Sequence, residues 1–353
     1  MTKNITNLMR KNIQNLEGYS CAQDEYDLKS GQILLLNANE NPYSLPSLIS
    51  FARGNYQNKY PHTDQKKLRQ EISKYKKINL KNIICGNGSD EIIDQLIRIF
   101  CEPTKDSICI CPPTFGMYEV SANLNDIGVV KIPLVQTKNN FELNTKEIIN
   151  TKAKILFIPN PAAPTGGLFL RKKLLEILDK FKGIVVIDEA YVDFAETESF
   201  ISEIKNFPNL VILQTFSKFW GLAGARVGMC FADSQIIEKI QTIKMPYSLN
   251  ENSQNLAIQA IENYDYWKEK AEILVSARKK MEIFLQSQSW VKKIFKSDAN
   301  FVFFEVETAN KIYNFLLKKG IVIRKFGDRR LRVSMGTPDE IAKVIRVLEK
   351  INN

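Results

Sequence analysis

Between residues 82 and 245, short and continuously apolar runs alternate with stretches of helical period. No other feature of the chain restricts its fold as much. The runs at 82–85, 107–111, 129–132, 154–158, 183–188, 209–214 and 226–231 read as strands. Segments such as SDEIIDQLIRIF and RKKLLEILDKF read as helices between them. A strand apolar at every position has no solvent face, so it must be covered on both sides. Strand–helix alternation supplies that cover. It predicts an α/β fold with a mostly parallel central sheet and helices on both faces. Ligands in such sheets bind outside the carboxyl ends of the strands. Functional residues are therefore expected where apolar runs stop.

After Pro246 the pattern changes. A long amphipathic stretch covers 254–285, strand candidates follow at 301–306, 321–324 and 331–334, and a last helix covers 338–351. This predicts a smaller α/β domain. Residues 41–246 are assigned to a large domain, and residues 1–40 with 247–353 to the small one. A chain of 353 residues is long enough for both.

Several chemistries are disfavoured at once. The single histidine, His62, argues against a histidine-based metal site or a Ser-His-Asp triad. The six cysteines form no CxxC pair, and Cys109 and Cys111 alternate along a strand-like run, as expected of free thiols in a cytoplasmic protein. No apolar run reaches the roughly 18 residues of a membrane span, and the polar N-terminus lacks a signal-peptide core. The 49 Lys and Arg against 39 Asp and Glu give +10. That surplus suits an anionic partner, but the basic doublets fall on helical faces and no nucleic-acid motif is present. A phosphorylated small molecule is the better expectation.

Three clusters mark strand ends. In Ile84-Cys85-Gly86-Asn87-Gly88-Ser89-Asp90-Glu91, a strand stops in glycines and enters a helix with Ser89 and Asp90 in its cap region. Free N–H groups and the helix dipole favour an anion there. The third glycine of a dinucleotide fingerprint is missing. In IVVIDEAYVDF, Asp188 ends the most apolar run and Tyr191 follows. A carboxylate at a buried strand end needs a cationic partner. In QTFSKFWGLAGARVG, Ser217, Lys218 and Arg226 follow another apolar run. If those last two strands are neighbours, one crevice receives a carboxylate, a phenol, an amine, a hydroxyl and a guanidinium. Pyridoxal phosphate would use all five: the amine on its aldehyde, the carboxylate on its ring nitrogen, the phenol on its ring hydroxyl, the others on its phosphate.

With these motifs in place, DEAYVDF, TFSK and GARVG resemble the core of the fold-type I pyridoxal-phosphate aminotransferases. LNANENP, NKYPH, GNGSDE, CPPTFGMY and LRVSMGT appear in matching order, and together resemble the histidinol-phosphate aminotransferase family. The resemblance implies that Lys218 carries the cofactor and shuttles protons. It implies that Asp188 meets the pyridine nitrogen, Tyr191 the ring hydroxyl, and Phe115 the ring face. Ser89, Asp90, Ser217 and Arg226 would surround the phosphate. Tyr60 would reach the phosphate of a neighbouring subunit's cofactor, which implies a homodimer with shared sites. Arg332 would receive the carboxylate of glutamate or 2-oxoglutarate, and also the phosphate of the phosphorylated substrate, helped by Arg324 and Tyr19. No metal, nucleic acid or membrane is implied.

One position departs from the family. Asparagine normally precedes Pro-Thr-Gly and donates to the cofactor's ring hydroxyl; here Ala163 stands there. Tyr191 then carries that contact alone, or activity is altered. Amino transfer between glutamate and imidazole-acetol phosphate is the first reading. A decarboxylase of a phosphorylated amino acid on the same scaffold, or an impaired member, is the alternative. A pure binding protein is disfavoured because no helix-turn-helix segment is appended.

Overall fold

The computed structural model describes residues 5–14, 16, 33–45 and 58–351. A first strand, β1, spans Leu34–Leu36. Then come β2 (Ile83–Asn87), β3 (Ser107–Ile110) and β4 (Gly128–Lys131). A small hairpin pairs β5 (Val135–Gln136) with β6 (Phe141–Glu142). The central strands are β7 (Ile155–Pro159), β8 (Ile184–Asp188), β9 (Leu210–Thr215) and β10 (Val227–Ala232). The last four are β11 (Val291–Ile294), β12 (Phe301–Val306), β13 (Ile321–Phe326) and β14 (Arg330–Ser334).

Seven strands form one sheet in the order β2-β10-β9-β8-β7-β3-β4. All neighbours in it are parallel except β10, which runs antiparallel to both β9 and β2. Only one short connection, residues 216–226, separates β9 from β10, too short for the crossover that a parallel pair needs. The reversal brings the start of β10 to the edge where β2, β7, β8 and β9 end.

The apolar runs behave as expected of strands covered twice. Val185 and Ile187 enter one buried cluster, and Val186 between them enters another. All three are fully buried, and each such side chain contributes roughly 1.5–3 kcal/mol. Helices Gly88–Phe100, Met117–Leu124 and Ser234–Ile243 cover one face; Arg171–Lys180 and Tyr264–Gln286 lie in the cluster on the other.

A five-stranded sheet has the order β1-β13-β14-β12-β11. Here β1 pairs parallel with β13 and the remaining neighbours are antiparallel. The amphipathic stretch at 254–285 is two helices, Glu251–Glu262 and Tyr264–Gln286, interrupted at Asn263. The Asn263 amide donates to the Gln259 carbonyl at 2.8 Å, so it competes for the last turn and marks the break. The expected final helix ends at Leu348 and tightens into a 3-10 turn at Glu349–Ile351.

Candidate active site

The register of β8 with β9 sets the site. Asp188 lies opposite Leu213, so the two strands end side by side. The residues after them, together with the loops after β2, β3 and β7, line a cavity of about 450 Å³. Asp188, Tyr191, Ser217, Lys218, Arg226, Ser89, Asp90, Phe115, Arg324 and Arg332 all line it, as does Ala163. Two expected residues are not among the described lining residues. Tyr19 lies outside the described residues. Tyr60 is 80% exposed and stacks on Tyr247 at 4.3 Å, away from the cavity of its own chain.

Asp188 is buried, and burial pushes its carboxyl up to about 6. Two hydrogen bonds to the ionised form pull the other way. Tyr118 Oη donates to Asp188 Oδ2 at 2.7 Å, and the Ala190 N–H donates to Oδ1 at 3.1 Å. Lys218 Nζ, half-buried, donates to the Ala38 carbonyl at 2.8 Å and stands 5.9 Å from the centre of the Tyr191 ring. Its carbonyl partner belongs to the short segment after β1, so the amine bridges the two sheets.

The opposite end of the cavity is built for an anion. Helix Gly88–Phe100 begins there, and its first N–H groups have no partner within the helix. Arg226 Nη2 meets Asp90 Oδ2 at 2.9 Å, and the Gly88 N–H donates to the Arg226 carbonyl at 2.8 Å. Asp90 is thus engaged with Arg226, and its carboxylate offers an anion nothing directly. Gly88 has φ +74°, and a Cβ there would lie 2.4 Å from Arg226 Nη2. The positive φ favours glycine, whereas the guanidinium, the free end of a flexible side chain, could move aside. Thr215 Oγ1 accepts from the Ser217 N–H at 3.0 Å and stands 2.9 Å from Ser217 Oγ, which holds that hydroxyl at the rim.

The third wall comes from the second sheet. Arg324 and Arg332 face each other directly across β13 and β14. Arg332 lies between the Phe301 and Phe326 rings, at 5.2 and 5.5 Å, and donates to the Asn37 carbonyl at 2.7 Å. The cavity therefore joins an anion site, a buried carboxylate, an amine and a second anion site. That set can hold a phosphorylated, electron-poor ring at one end and an anionic substrate at the other. Among the described residues no group of three metal-type ligands occurs, and no helix is long and apolar enough to cross a membrane.

Sequence reasoning missed Tyr118, Asn39, Thr215 and Phe326 as members of the site. Tyr118 and Asn39 lay inside quoted motifs, CPPTFGMY and LNANENP, but their partners are 70 and 152 positions away. No local pattern signals such partners.

Comparison with known proteins agrees with this geometry. Residues 26–348 match the family "Aminotransferase class I and II". A histidinol-phosphate aminotransferase of Flavobacterium psychrophilum is 41% identical over 99% of each chain, and one of Bacteroides fragilis 39% identical over the same shares. The solved histidinol-phosphate aminotransferase of Clostridium acetobutylicum superposes with a TM-score of 0.83 at 28% identity, covering 90% of this chain and 99% of that one. An L-threonine-O-3-phosphate decarboxylase from Porphyromonas gingivalis, at 22% identity and TM-score 0.70, shares the fold.

Proposed function

The chain belongs to the class I and II aminotransferases and, within them, to the histidinol-phosphate aminotransferase family; from that premise we propose that it exchanges an amino group between glutamate and imidazole-acetol phosphate, using pyridoxal phosphate. The observation that carries the substrate class is the cross-strand pair Arg324 and Arg332 at the cavity wall. Two guanidiniums on one cavity wall suit a substrate with a phosphate or carboxylate, and planar bidentate contacts suit both anions.

The cavity fits the cofactor by the chemistry of its donors. Bound there, pyridoxal phosphate supplies an aldehyde for covalent attachment and a protonated ring that withdraws electrons from the reacting carbon. Lys218 Nζ would be the covalent anchor and the base that moves the proton at the reacting carbon. Asp188, held by Tyr118 and the Ala190 N–H, keeps the ring nitrogen protonated. Tyr191 would donate to the ring oxygen and Phe115 would pack against the ring; both line the cavity. The start of helix Gly88–Phe100, with Ser89, Ser217 and Arg226, binds the phosphate. Arg332 takes the carboxylate of glutamate. Arg324, with Tyr19, adds selectivity for the phosphorylated partner. Tyr60, exposed on its own chain, reaches the cofactor phosphate of a second copy in a homodimer.

The test is a pair of half-reactions in the purified, cofactor-loaded protein. Glutamate should yield 2-oxoglutarate, and imidazole-acetol phosphate should return the cofactor to its aldehyde form. Lys218→Ala should end multiple turnover while the protein still folds. Release of carbon dioxide from a phosphorylated amino acid, with no 2-oxoglutarate from glutamate, would favour the decarboxylase instead.

A further inference from the structure

A buried hydrogen-bond chain leads to Tyr191 from the second sheet. The backbone N–H of Asn39 donates to Ser334 Oγ at 2.9 Å. Ser334 Oγ in turn donates to Asn39 Oδ1 at 2.8 Å. Asn39 Nδ2 then donates to Tyr191 Oη at 2.9 Å. Asn39 is 1% exposed and Ser334 2%, so water does not complete these bonds. The Asn39 carbonyl is held separately by Asn300 Nδ2 at 3.2 Å, and its backbone sits in the left-handed region at φ 53°. That conformation is tolerated by asparagine better than by most residues.

Only one orientation of the amide leaves the Ser334 hydroxyl proton an acceptor. Turning the amide would place Nδ2 against Ser334 and Oδ1 against Tyr191. The Ser334 proton would then face two donors and lose its acceptor at a buried position, which is costly. With the amide as found, the Tyr191 oxygen accepts, and its own proton is left to point elsewhere. Tyr191 and Asn39 both line the cavity, which offers that proton room. Ala163, at the same wall, has no side-chain donor to offer.

We propose that Asn39 is a positioning residue that fixes the direction of the Tyr191 hydroxyl proton, aiming it into the cavity at the cofactor's ring oxygen. The proposal rests on the cofactor reading above. It gives the segment after β1 a task in the chemistry, and it makes Tyr191 an obligate donor in a chain whose position 163 is alanine.

Two substitutions separate this from a purely structural role. Asn39→Asp keeps the shape and the bond from Ser334 but reverses the last bond, because a carboxylate only accepts and draws the tyrosine proton away from the cavity. Asn39→Ala removes the donor and leaves the tyrosine proton free to turn. A structural role predicts that alanine is the worse change; the proposal predicts that aspartate is. The readouts are the dissociation constant of pyridoxal phosphate and the midpoint of the bound cofactor's spectral pH titration. We expect Asn39→Asp to weaken binding about tenfold and raise the midpoint by about one unit, with Asn39→Ala intermediate. In a Tyr191→Phe background the difference between the two variants should shrink to the effect of the added charge alone. If Asn39→Asp fails to fold, Ser334→Ala carries the test, since it frees the amide to turn and should raise the midpoint likewise. Alanine equal to or worse than aspartate, or a full difference persisting without the tyrosine hydroxyl, overturns the proposal while leaving the cofactor reading intact. A wild-type protein that binds no pyridoxal phosphate overturns both.

Discussion

At position 163 the cavity wall carries a methyl group where the family places an amide. Ala163 is 7% exposed and lines the cavity beside Asp188 and Tyr191. A donor aimed at the ring oxygen stabilises the deprotonated form of the cofactor's linkage more than the protonated form. A charge-assisted bond is worth about 1.5–3 kcal/mol and only part of it is differential. Ala163→Asn should therefore lower the spectral midpoint by about one unit and tighten cofactor binding; a spectrophotometric titration of both proteins checks this, and an unchanged or raised midpoint speaks against it. Asp188 poses the converse problem. Its carboxyl is pushed from 3.8 to about 6, chiefly by burial. The folded protein without cofactor therefore binds this proton more tightly than the unfolded chain does. Its contribution favours folding below the unfolded value and is lost as pH rises through about 6. Two pKa units correspond to roughly 3 kcal/mol as an upper bound. Asp188→Asn should remove that fall, because the Tyr118 hydroxyl can turn to accept from the new amide. Thermal unfolding of the cofactor-free proteins at pH 4 and pH 8 should show the variant the more stable at pH 8, while its cofactor binding is weakened. A fall in stability between pH 4 and pH 6 as large in the variant as in the unaltered protein would contradict the assignment.

The elements matter through where they stop. Helix Gly88–Phe100 begins against the first residues of β10, and the contact is backbone on backbone. A Cβ at Gly228 would lie 2.4 Å from the Gly88 carbonyl carbon and 2.5 Å from the Ser89 nitrogen. Neither is the free end of a side chain, so the helix start itself would have to shift. Gly228→Ala should cost about 1–3 kcal/mol of stability and, if the helix start binds the cofactor phosphate as proposed, weaken that binding by displacing its N–H groups. Denaturant unfolding and cofactor titration measure the two effects separately. Loss of stability with unchanged cofactor affinity would show that the helix start does not bind the phosphate. The strand ends themselves were legible. Apolar runs at 183–188 and 209–214 end within one residue of the observed β8 and β9. The reversed direction of β10 was not legible, because periodicity reports burial and carries no strand direction.

At the scale of the whole molecule, the site as one chain builds it leaves Tyr60 outside. Tyr60 and Tyr247 stack in the open, and Met245 nearby in sequence is 69% exposed. A second copy covering this patch would bury apolar surface and bring Tyr60 to the partner's cofactor. Mixing Lys218→Ala with Tyr60→Ala subunits then places both lesions in one site of the heterodimer and leaves the other site whole. Activity above that of either parent is the expected result, with subunit exchange confirmed by native mass spectrometry. Exchange without recovery would remove the shared-site reading.

Burial is a local property of the pattern, and so is much of what the residues alone determine here. Continuous apolar runs require cover on both faces, and the observed strands divide their side chains between two buried clusters. The amine of Lys218 and the carboxylate of Asp188 were expected at strand ends because charge cannot continue into such a run. What each of them touches is a different kind of fact. Tyr118 on Asp188, Asn39 on Tyr191, the carbonyls of Asn37 and Ala38 on Arg332 and Lys218, and Arg324 opposite Arg332 all depend on sheet order and register. Those contacts join residues far apart in the chain, and one step of register would exchange every partner. Part of the lining of the candidate site was therefore legible in the sequence, whereas its hydrogen-bond partners and directions were decided only when the two sheets met.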